Sequence, residues 1–289
     1  MDTGPFENAR RFGIVAGSGT LPVEVATAIA ARGGSPFIVT IAGEADPADF
    51  ADFDHVEFRI GDFGPIIDAM VEAGVSHAVL AGGIAARPRL RDLRLGHHLI
   101  RLVPRVIAAR VLGDNAILSE IVRYLETVGL VIVGAHEVVP ELLAPSGSLT
   151  KKKPTKADWL DIEAGAAAAR AIGALDIGQA AIAVGGRVIA LEGVEGTDGL
   201  LERAAALRNH GRVAGMSRGV LVKCVKPGQE MRADLPSIGP ATVAAAKKAG
   251  LVGIAVDAGR SLVLEAGQTI ADADRYGLFV VGLEAGEQP

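Results

Sequence analysis

Residues 12–16, FGIVA, run with no polar side chain into Gly17-Ser18-Gly19, and Thr20-Leu21-Pro22 then opens an Ala-rich stretch to Ala31. A short run that is apolar at every position reads as a strand buried on both faces, the situation of a parallel sheet. Parallel neighbours cannot be joined by a tight turn and need a crossover. The next stretch carries the signals of a crossover helix: Pro22 in the first turn, Glu24 at the positive end, Gly33-Gly34 after the last turn. Residues 36–41 supply the second strand. The order then returns, with a strand at 56–60, a helix at 64–73 opened by Pro65 and stopped by Gly74, and a strand at 77–81 ending in Gly82-Gly83. The fold class read from this pattern is α/β, with an N-terminal Rossmann-like open sheet.

Ligands of open α/β sheets bind along the carboxyl edge of the strands, where both glycine turns should lie. Glycines let the backbone approach a phosphate, and a helix N-terminus offers free N–H groups and a positive dipole. A dinucleotide fingerprint needs G-x-G-x-x-G and an acid at the end of the second strand. Here Pro22 holds the third glycine position and the second strand ends Thr40-Ile41-Ala42, so a nicotinamide or flavin role is disfavoured. A phosphate or nucleotide role stays open beside a turn that only packs helix on strand. Arg87, Arg89 and Arg91 follow the second glycine turn, as phosphate contacts or as a solvated loop. Helices are expected over 99–111 and 113–128, with Asp114 and Asn115 in capping positions, and a strand over 130–133 followed by His136 and Glu137.

From 140 to 155 the pattern lapses: three prolines, Gly147 and Lys151-Lys152-Lys153 mark a linker. The domains are therefore expected as 1–139, a linker at 140–155, and a mixed α/β domain over 156–289, with the ligand cleft between the domains. The lysine run is a solvated segment or a contact for anionic lipid or diphosphate. The second domain reads as a helix at 158–173, a hairpin at 179–191 and a helix at 199–207, with no internal repeat of the first. Glu192, Glu195 and Asp198 lie close together between hairpin and helix. Such acids can hold Mg²⁺ through oxygen ligands, or can simply cap the helix, as Thr197 can.

The segment 221–242, LVKCVKPGQEMRADLPSIGPAT, gathers Lys223, Lys226, Gln229, Glu230, Arg232 and Asp234, a cluster of both charge signs pinned by Pro227 and Pro236. It begins as a buried strand, and side-chain alternation puts Lys223 on the apolar face of Leu221 and Val225, which is costly unless the lysine meets an anion. Read as extended, Glu230, Arg232 and Asp234 share one face. Pro236, Ser237, Gly239 and Pro240 then open a helix to 249, with Ser237 as N-cap. Lysines, a carboxylate and a helix start can build a metal-assisted phosphate site, or an ion-pair network at a strand–helix corner. Further strands are expected over 254–257, 261–265 and 278–282, with a helix over 268–276.

Composition removes other classes. A net charge of -5 argues against a general nucleic-acid binder, and aromatics at 4% against base stacking. The single cysteine, Cys224, permits no internal disulfide, fits a reducing compartment and reads as a small buried hydrophobe. No apolar run reaches membrane-spanning length, and the N-terminal residues lack an apolar signal region, so a cytoplasmic protein is expected. The mean hydropathy of +0.35 fits an Ala/Val-rich parallel-sheet core and leaves contact with a membrane surface open.

The segment KCVKPGQEMRADLPSIGPATV resembles the signature of the LpxI family, the UDP-2,3-diacylglucosamine pyrophosphatases of lipid A synthesis. IVAGSGTLP, GAHEV, DIGQAAIAV and LEGVEGTDGLL are similar to family segments in the same order, so the resemblance spans nearly the whole chain. It implies two domains, a lipid-linked UDP-sugar substrate in the cleft between them, and a divalent cation, Mg²⁺. It also implies water attack on the α-phosphorus to give UMP and 2,3-diacylglucosamine 1-phosphate (lipid X). The family's essential aspartate falls on Asp234, as catalytic residue and metal ligand, with Glu230 and Asp198 as further metal candidates. Gly17, Ser18, Gly19, Gly82, Gly83, Gln179, Thr197, Lys223, Lys226 and Gln229 become the substrate-binding candidates. The chain departs mildly from its relatives: Ser18 stands where some have Gly, Ser237 where Thr is usual, Glu230 where Asp is common. A two-chain lipid substrate implies peripheral association with the inner membrane. A homodimer is compatible with the resemblance. The alternative is a non-catalytic nucleotide-binding or regulatory module.

Overall fold

The structure, a computed structural model, describes residues 9, 11–84, 96–109, 114–207, 210–211 and 218–284. Arg87, Arg89 and Arg91 lie outside the described residues. The chain divides into two compact units: residues 1–140 with 230–234, and residues 141–229 with 235–289.

The first unit is built on β1 (Phe12–Ala16), β2 (Phe37–Ile41), β3 (Asp54–Phe58), β4 (His77–Ala81) and β5 (Val131–Ile132). They form a parallel sheet of order β3-β2-β1-β4-β5. The side-chain period of two separates the faces. Phe12, Ile14, Ala16 and Ile38 pack with α1 (Leu21–Ala31) and the short α5 (Ala135–Val138), while Phe37, Val39 and Ile41 pack with α2 (Phe63–Glu72), α3 (His97–Ala109) and α4 (Asp114–Thr127). Burial on both faces is why these strands read as unbroken apolar runs. The third strand begins two residues before the expected 56, at Asp54; it is the sheet edge, half-exposed, and its polar residues masked its start.

The second unit holds β6 (Gly147–Ser148), β7 (Ala180–Val184), β8 (Arg187–Leu191), β9 (Val220–Lys223), β11 (Gly253–Asp257) and β13 (Phe279–Leu283) in one sheet of order β6-β13-β11-β9-β7-β8. Its centre is parallel and its edges antiparallel. A separate parallel pair joins β10 (Ser237–Ile238) to β12 (Leu262–Val263). On one face α6 (Lys156–Ala174) packs Ile162, Ala166 and Ala169 against Val220, Val222 and Ala255. The approach is close: a Cβ on Gly165 of this helix would lie 2.6 Å from Val222. On the other face α7 (Gly196–Leu207), α8 (Pro240–Lys248) and α9 (Ala266–Tyr276) cover Ile182, Leu221, Ile254 and Val280. No helix among the described residues is long and apolar enough to cross a membrane.

Several expectations need revision. Within the stretch read as a linker, Gly147 and Ser148 pair with Gly282 and Val281 of β13. There Lys152 is no solvated cation; its Nζ donates to the carbonyls of Val252 (3.2 Å) and Gly277 (2.6 Å). The α7 helix begins at Gly196, so Thr197 and Asp198 stand in its first turn rather than before it. Ser237 is a strand residue, and the cap of α8 is Gly239, with Thr242 Oγ1 accepting from its N–H at 3.3 Å. Residues 230–234 are not extended: the N–H groups of Ala233 (3.1 Å) and Asp234 (3.0 Å) both donate to the Glu230 carbonyl, which is a helical turn.

Two glycines of the second unit should respond oppositely to the same substitution. A Cβ on Gly253 of β11 would lie 2.2 Å from the fully buried Phe279 ring, whereas one on Gly267 of α9 would meet nothing within 4 Å. We expect Gly253→Ala to cost about 2 kcal/mol in urea unfolding by overpacking. We expect Gly267→Ala to stabilise by about 0.5 kcal/mol through helix propensity.

Candidate active site

The strand order of the first sheet reverses between β1 and β4, and the chain leaves both strands through glycines. The two turns are locked together. Gly17 N–H donates to the Ala81 carbonyl (2.8 Å), Ser18 N–H to the Gly83 carbonyl (2.7 Å), and Gly83 N–H to the Ser18 carbonyl (3.0 Å). Ser18 Oγ also donates to the Gly83 carbonyl at 3.0 Å. A Cβ on Gly17 would lie 2.3 Å from the Gly83 oxygen, and one on Gly82, at φ 86°, 2.6 Å from the Ser18 oxygen. Gly19, at φ 94°, turns the chain into α1, whose N-cap Thr20 makes no side-chain capping bond. Its hydroxyl donates instead to Glu24 at 3.1 Å. Gly17, Ser18, Gly19, Gly82 and Gly83 are thus brought to one edge, at the switch point, beside a helix start with no side-chain cap.

The turn Glu230–Asp234 belongs to the same unit, and side chains of α4 hold it. Glu230 N–H donates to Asn115 Oδ1 (2.9 Å), and Arg232 Nη1 donates to Glu126 (2.6 Å). Arg232 closes a fork on Glu230, Nε to Oε1 at 2.8 Å and Nη2 to Oε2 at 2.9 Å. Those bonds hold the Glu230 carboxyl below its ordinary range, although burial pushes it up. Ala233 packs into the apolar cluster of α2, α3 and α4. Asp234 ends the turn, half-buried. His136, in α5, is close by: a Cβ on Gly134 would meet its ring at 2.4 Å and the Arg232 Cα at 3.3 Å. Burial lowers the His136 pKa, and its buried Nδ1 makes no hydrogen bond among the described residues.

In the second unit, the strand leading to this turn ends in Lys226-Pro227-Gly228-Gln229. Gly228 at φ 71° and the Gln229 N–H to Lys226 carbonyl bond (3.2 Å) make a tight turn with proline and glycine in their preferred places. Gln229 Oε1 closes it again by accepting from Lys226 N–H at 2.9 Å. Lys226 Nζ pairs with Asp176 at 2.8 Å. Asp176 has φ 53° and follows the end of α6, where glycine is usual. Lys223, only 7% exposed, donates from Nζ to the Ser237 carbonyl at 3.1 Å, so a backbone oxygen offsets part of its burial. Glu192, expected as a metal or capping acid, ties two candidates together: it accepts from Gln179 N–H and from Thr197 Oγ1, both at 2.7 Å. Glu195 pairs with Arg203, and Asp198 is exposed on α7. Burial pushes the Cys224 thiol up to about 12, with Asp257 adding to the effect, which suits a buried hydrophobe and not a nucleophile.

The structure therefore groups most of the candidates in four places: the paired glycine turns, the Glu230–Asp234 turn, the Lys226–Gln229 turn, and the Gln179–Glu192–Thr197 link; Lys223 of β9 and Asp198 of α7 belong to none of them. Asn115 and Glu126 hold the second of these places without any signal in spacing, because their partners, Glu230 and Arg232, are about a hundred residues away in sequence.

Two family models match this chain. One described as the LpxI N-terminal domain covers residues 11–142, and one described as the LpxI C-terminal domain covers residues 145–281. Among curated proteins, UDP-2,3-diacylglucosamine pyrophosphatase LpxI of Caulobacter vibrioides is 40% identical over 281 residues, 97% of this chain and 100% of that protein.

The Arg232 fork sets a pH dependence. The folded pKa of Glu230 is depressed, so its stabilisation is present above the ordinary carboxylate range and is lost as pH falls through the folded value. Urea midpoints followed from about pH 6 to about pH 3 should fall less steeply in Arg232→Ala than in the parent chain, because the variant has already lost the linkage. Equal slopes would show that the pair contributes nothing to the folded state.

Proposed function

Since the chain belongs to the LpxI family, we propose that it hydrolyses the diphosphate of UDP-2,3-diacylglucosamine in lipid A biosynthesis. Water attacks the α-phosphorus, and the products are UMP and 2,3-diacylglucosamine 1-phosphate (lipid X). The observation that carries the reading is the match of both family models together with a single half-buried aspartate, Asp234, in a turn that α4 side chains hold in place.

The donor set suits Mg²⁺. This ion is commonly bound by one or two carboxylates plus the phosphates of its substrate, not by an all-protein cage. Asp234 is such a carboxylate. Both Glu230 oxygens already accept from Arg232, which favours a positioning role for Glu230 over direct ligation. Asp198 is exposed on the second unit and is kept as a further oxygen donor. Asp234 would hold the ion, which when bound neutralises charge on the diphosphate.

The chain's own residues divide the remaining work. The paired glycine turns let backbone approach a phosphate or the nucleotide, and the start of α1 presents N–H groups to it. Lys226 and Lys223 supply positive charge, the first oriented by Asp176 and the second by the Ser237 carbonyl. Gln179 and Thr197, linked through Glu192, offer polar groups for the sugar. Asp234 orients the attacking water. Positioning and electrostatic stabilisation are the main terms in phosphoryl chemistry of this kind. For the acyl chains, Ile177 and Leu191 line an open depression of about 640 Å³ in the second unit, with Leu175 and Val194 exposed nearby in sequence. These exposed apolar side chains support work at a membrane surface.

Incubation with UDP-2,3-diacylglucosamine and Mg²⁺ should release UMP, and in ¹⁸O-labelled water the label should enter UMP. Label in the lipid product instead would move the attack to the other phosphorus, and binding without UMP release would leave a nucleotide-binding module. Asp234→Ala should keep substrate binding while turnover falls about 10²–10³-fold or more. An unchanged rate in that variant would overturn the assignment of Asp234.

A further inference from the structure

Helices α2 and α3 bring a second group of ligating side chains together, and none of them enters the chemistry above. Asp68 of α2 and the consecutive His97 and His98 at the start of α3 each offer one ligand atom, and the three atoms all lie within 4.8 Å of one another. This is the one group of three or more such ligands among the described residues. We propose that Asp68, His97 and His98 form a binding site for a divalent transition-metal ion of the zinc type.

Three observations support this. First, His98 Nε2 lies 3.3 Å from Asp68 Oδ1. A charge-assisted N–H···O bond is ordinarily about 2.7–2.9 Å. With metal–nitrogen and metal–oxygen bonds of about 2.0–2.1 Å, the edge of a tetrahedron is about 3.3–3.4 Å, so the spacing suits two ligands of one ion better than a donor and its acceptor. Second, His98 is already oriented as a ligand. Its Nδ1 lies 2.8 Å from Tyr124 Oη, and both rings are buried. A metal-binding imidazole commonly commits its other ring nitrogen to such a partner, which fixes the tautomer and turns the free lone pair towards the ion. Third, His97 is exposed and its ring lies against that of His98, with centroids 3.9 Å apart. Two imidazoles on one tetrahedral ion stand about 5 Å apart, so rotation of the exposed His97 side chain out of this contact would bring its nitrogen to the ion beside Asp68 and His98.

Two imidazoles and one carboxylate are a donor set for zinc-like ions, and three protein ligands leave a fourth position for water. Mg²⁺ prefers oxygen ligands, so this site would select a different ion from the one Asp234 takes.

The test uses the full chain, stripped with a chelator and titrated with Zn²⁺ by calorimetry, with Co²⁺ as an absorbing substitute. We expect one Zn²⁺ per chain, a tetrahedral Co²⁺ spectrum, and a rise in thermal midpoint on adding Zn²⁺. His97→Ala replaces an exposed side chain and should fold normally without metal, as an unchanged urea midpoint of the stripped protein would show. It should lower Zn²⁺ affinity at least about tenfold and abolish the thermal shift, and Asp68→Asn should do the same. Tyr124→Phe keeps all three ligands and should lower affinity about tenfold. No stoichiometric Zn²⁺ binding by the parent chain would overturn the proposal. So would equal affinity in His97→Ala and Asp68→Asn, which would make the ion adventitious.

Discussion

Two stretches of backbone meet at the carboxyl edge of the first sheet so closely that Gly17 and Gly82 leave no room for a Cβ between them. The bonds among Gly17, Ser18, Ala81 and Gly83 draw the turns after β1 and β4 together where the strand order reverses. A parallel sheet always leaves a crevice at such a point. Here the floor of the crevice is peptide groups, whose spacing is fixed by hydrogen bonds and not by rotamers. The start of α1 owes its position to Gly19, the next residue along, so the helix start beside the paired turns rests on this one contact.

Much of the fold was legible because the strands are buried on both faces. Runs such as FGIVA and AAIAV carry no alternation to misread, and the glycines after β1, α2 and β4 stand where the chain turns. Legibility failed where polar residues enter regular structure. The edge strand β3, the two-residue β6 inside a proline- and lysine-rich stretch, and Ser237 in β10 are all stabilised by partners distant in sequence. Local propensity favours loops and caps at those residues, and pairing overrides it.

The candidate site was legible in identity more than in geometry. Lysines, acids and glutamine near Asp234 stood out against an apolar chain, and the fit of both family models makes their family plain. What alternation could not supply was the conformation of 230–234. Arg232 folds back on Glu230 and reaches Glu126, so the acid that resembled a metal ligand is held in an ion pair. Equally, Glu192 links Gln179 to Thr197 across a hairpin, a relation visible only once β7 and β8 are paired.

The five residues Glu230–Asp234 pack as part of the first unit, while the chain on either side of them belongs to the second. The boundary is therefore crossed three times: after Pro140, after Gln229 and after Asp234. A gene cut once between the units would leave the N-terminal piece without the turn that α4 is shaped to hold. The C-terminal piece would carry that turn with Arg232 still on Glu230 but without Glu126, Asn115 or the apolar cluster that receives Ala233. A swap of halves at a single junction therefore also replaces five residues of the first unit, and the incoming turn has to suit Asn115 and Glu126 of the resident α4.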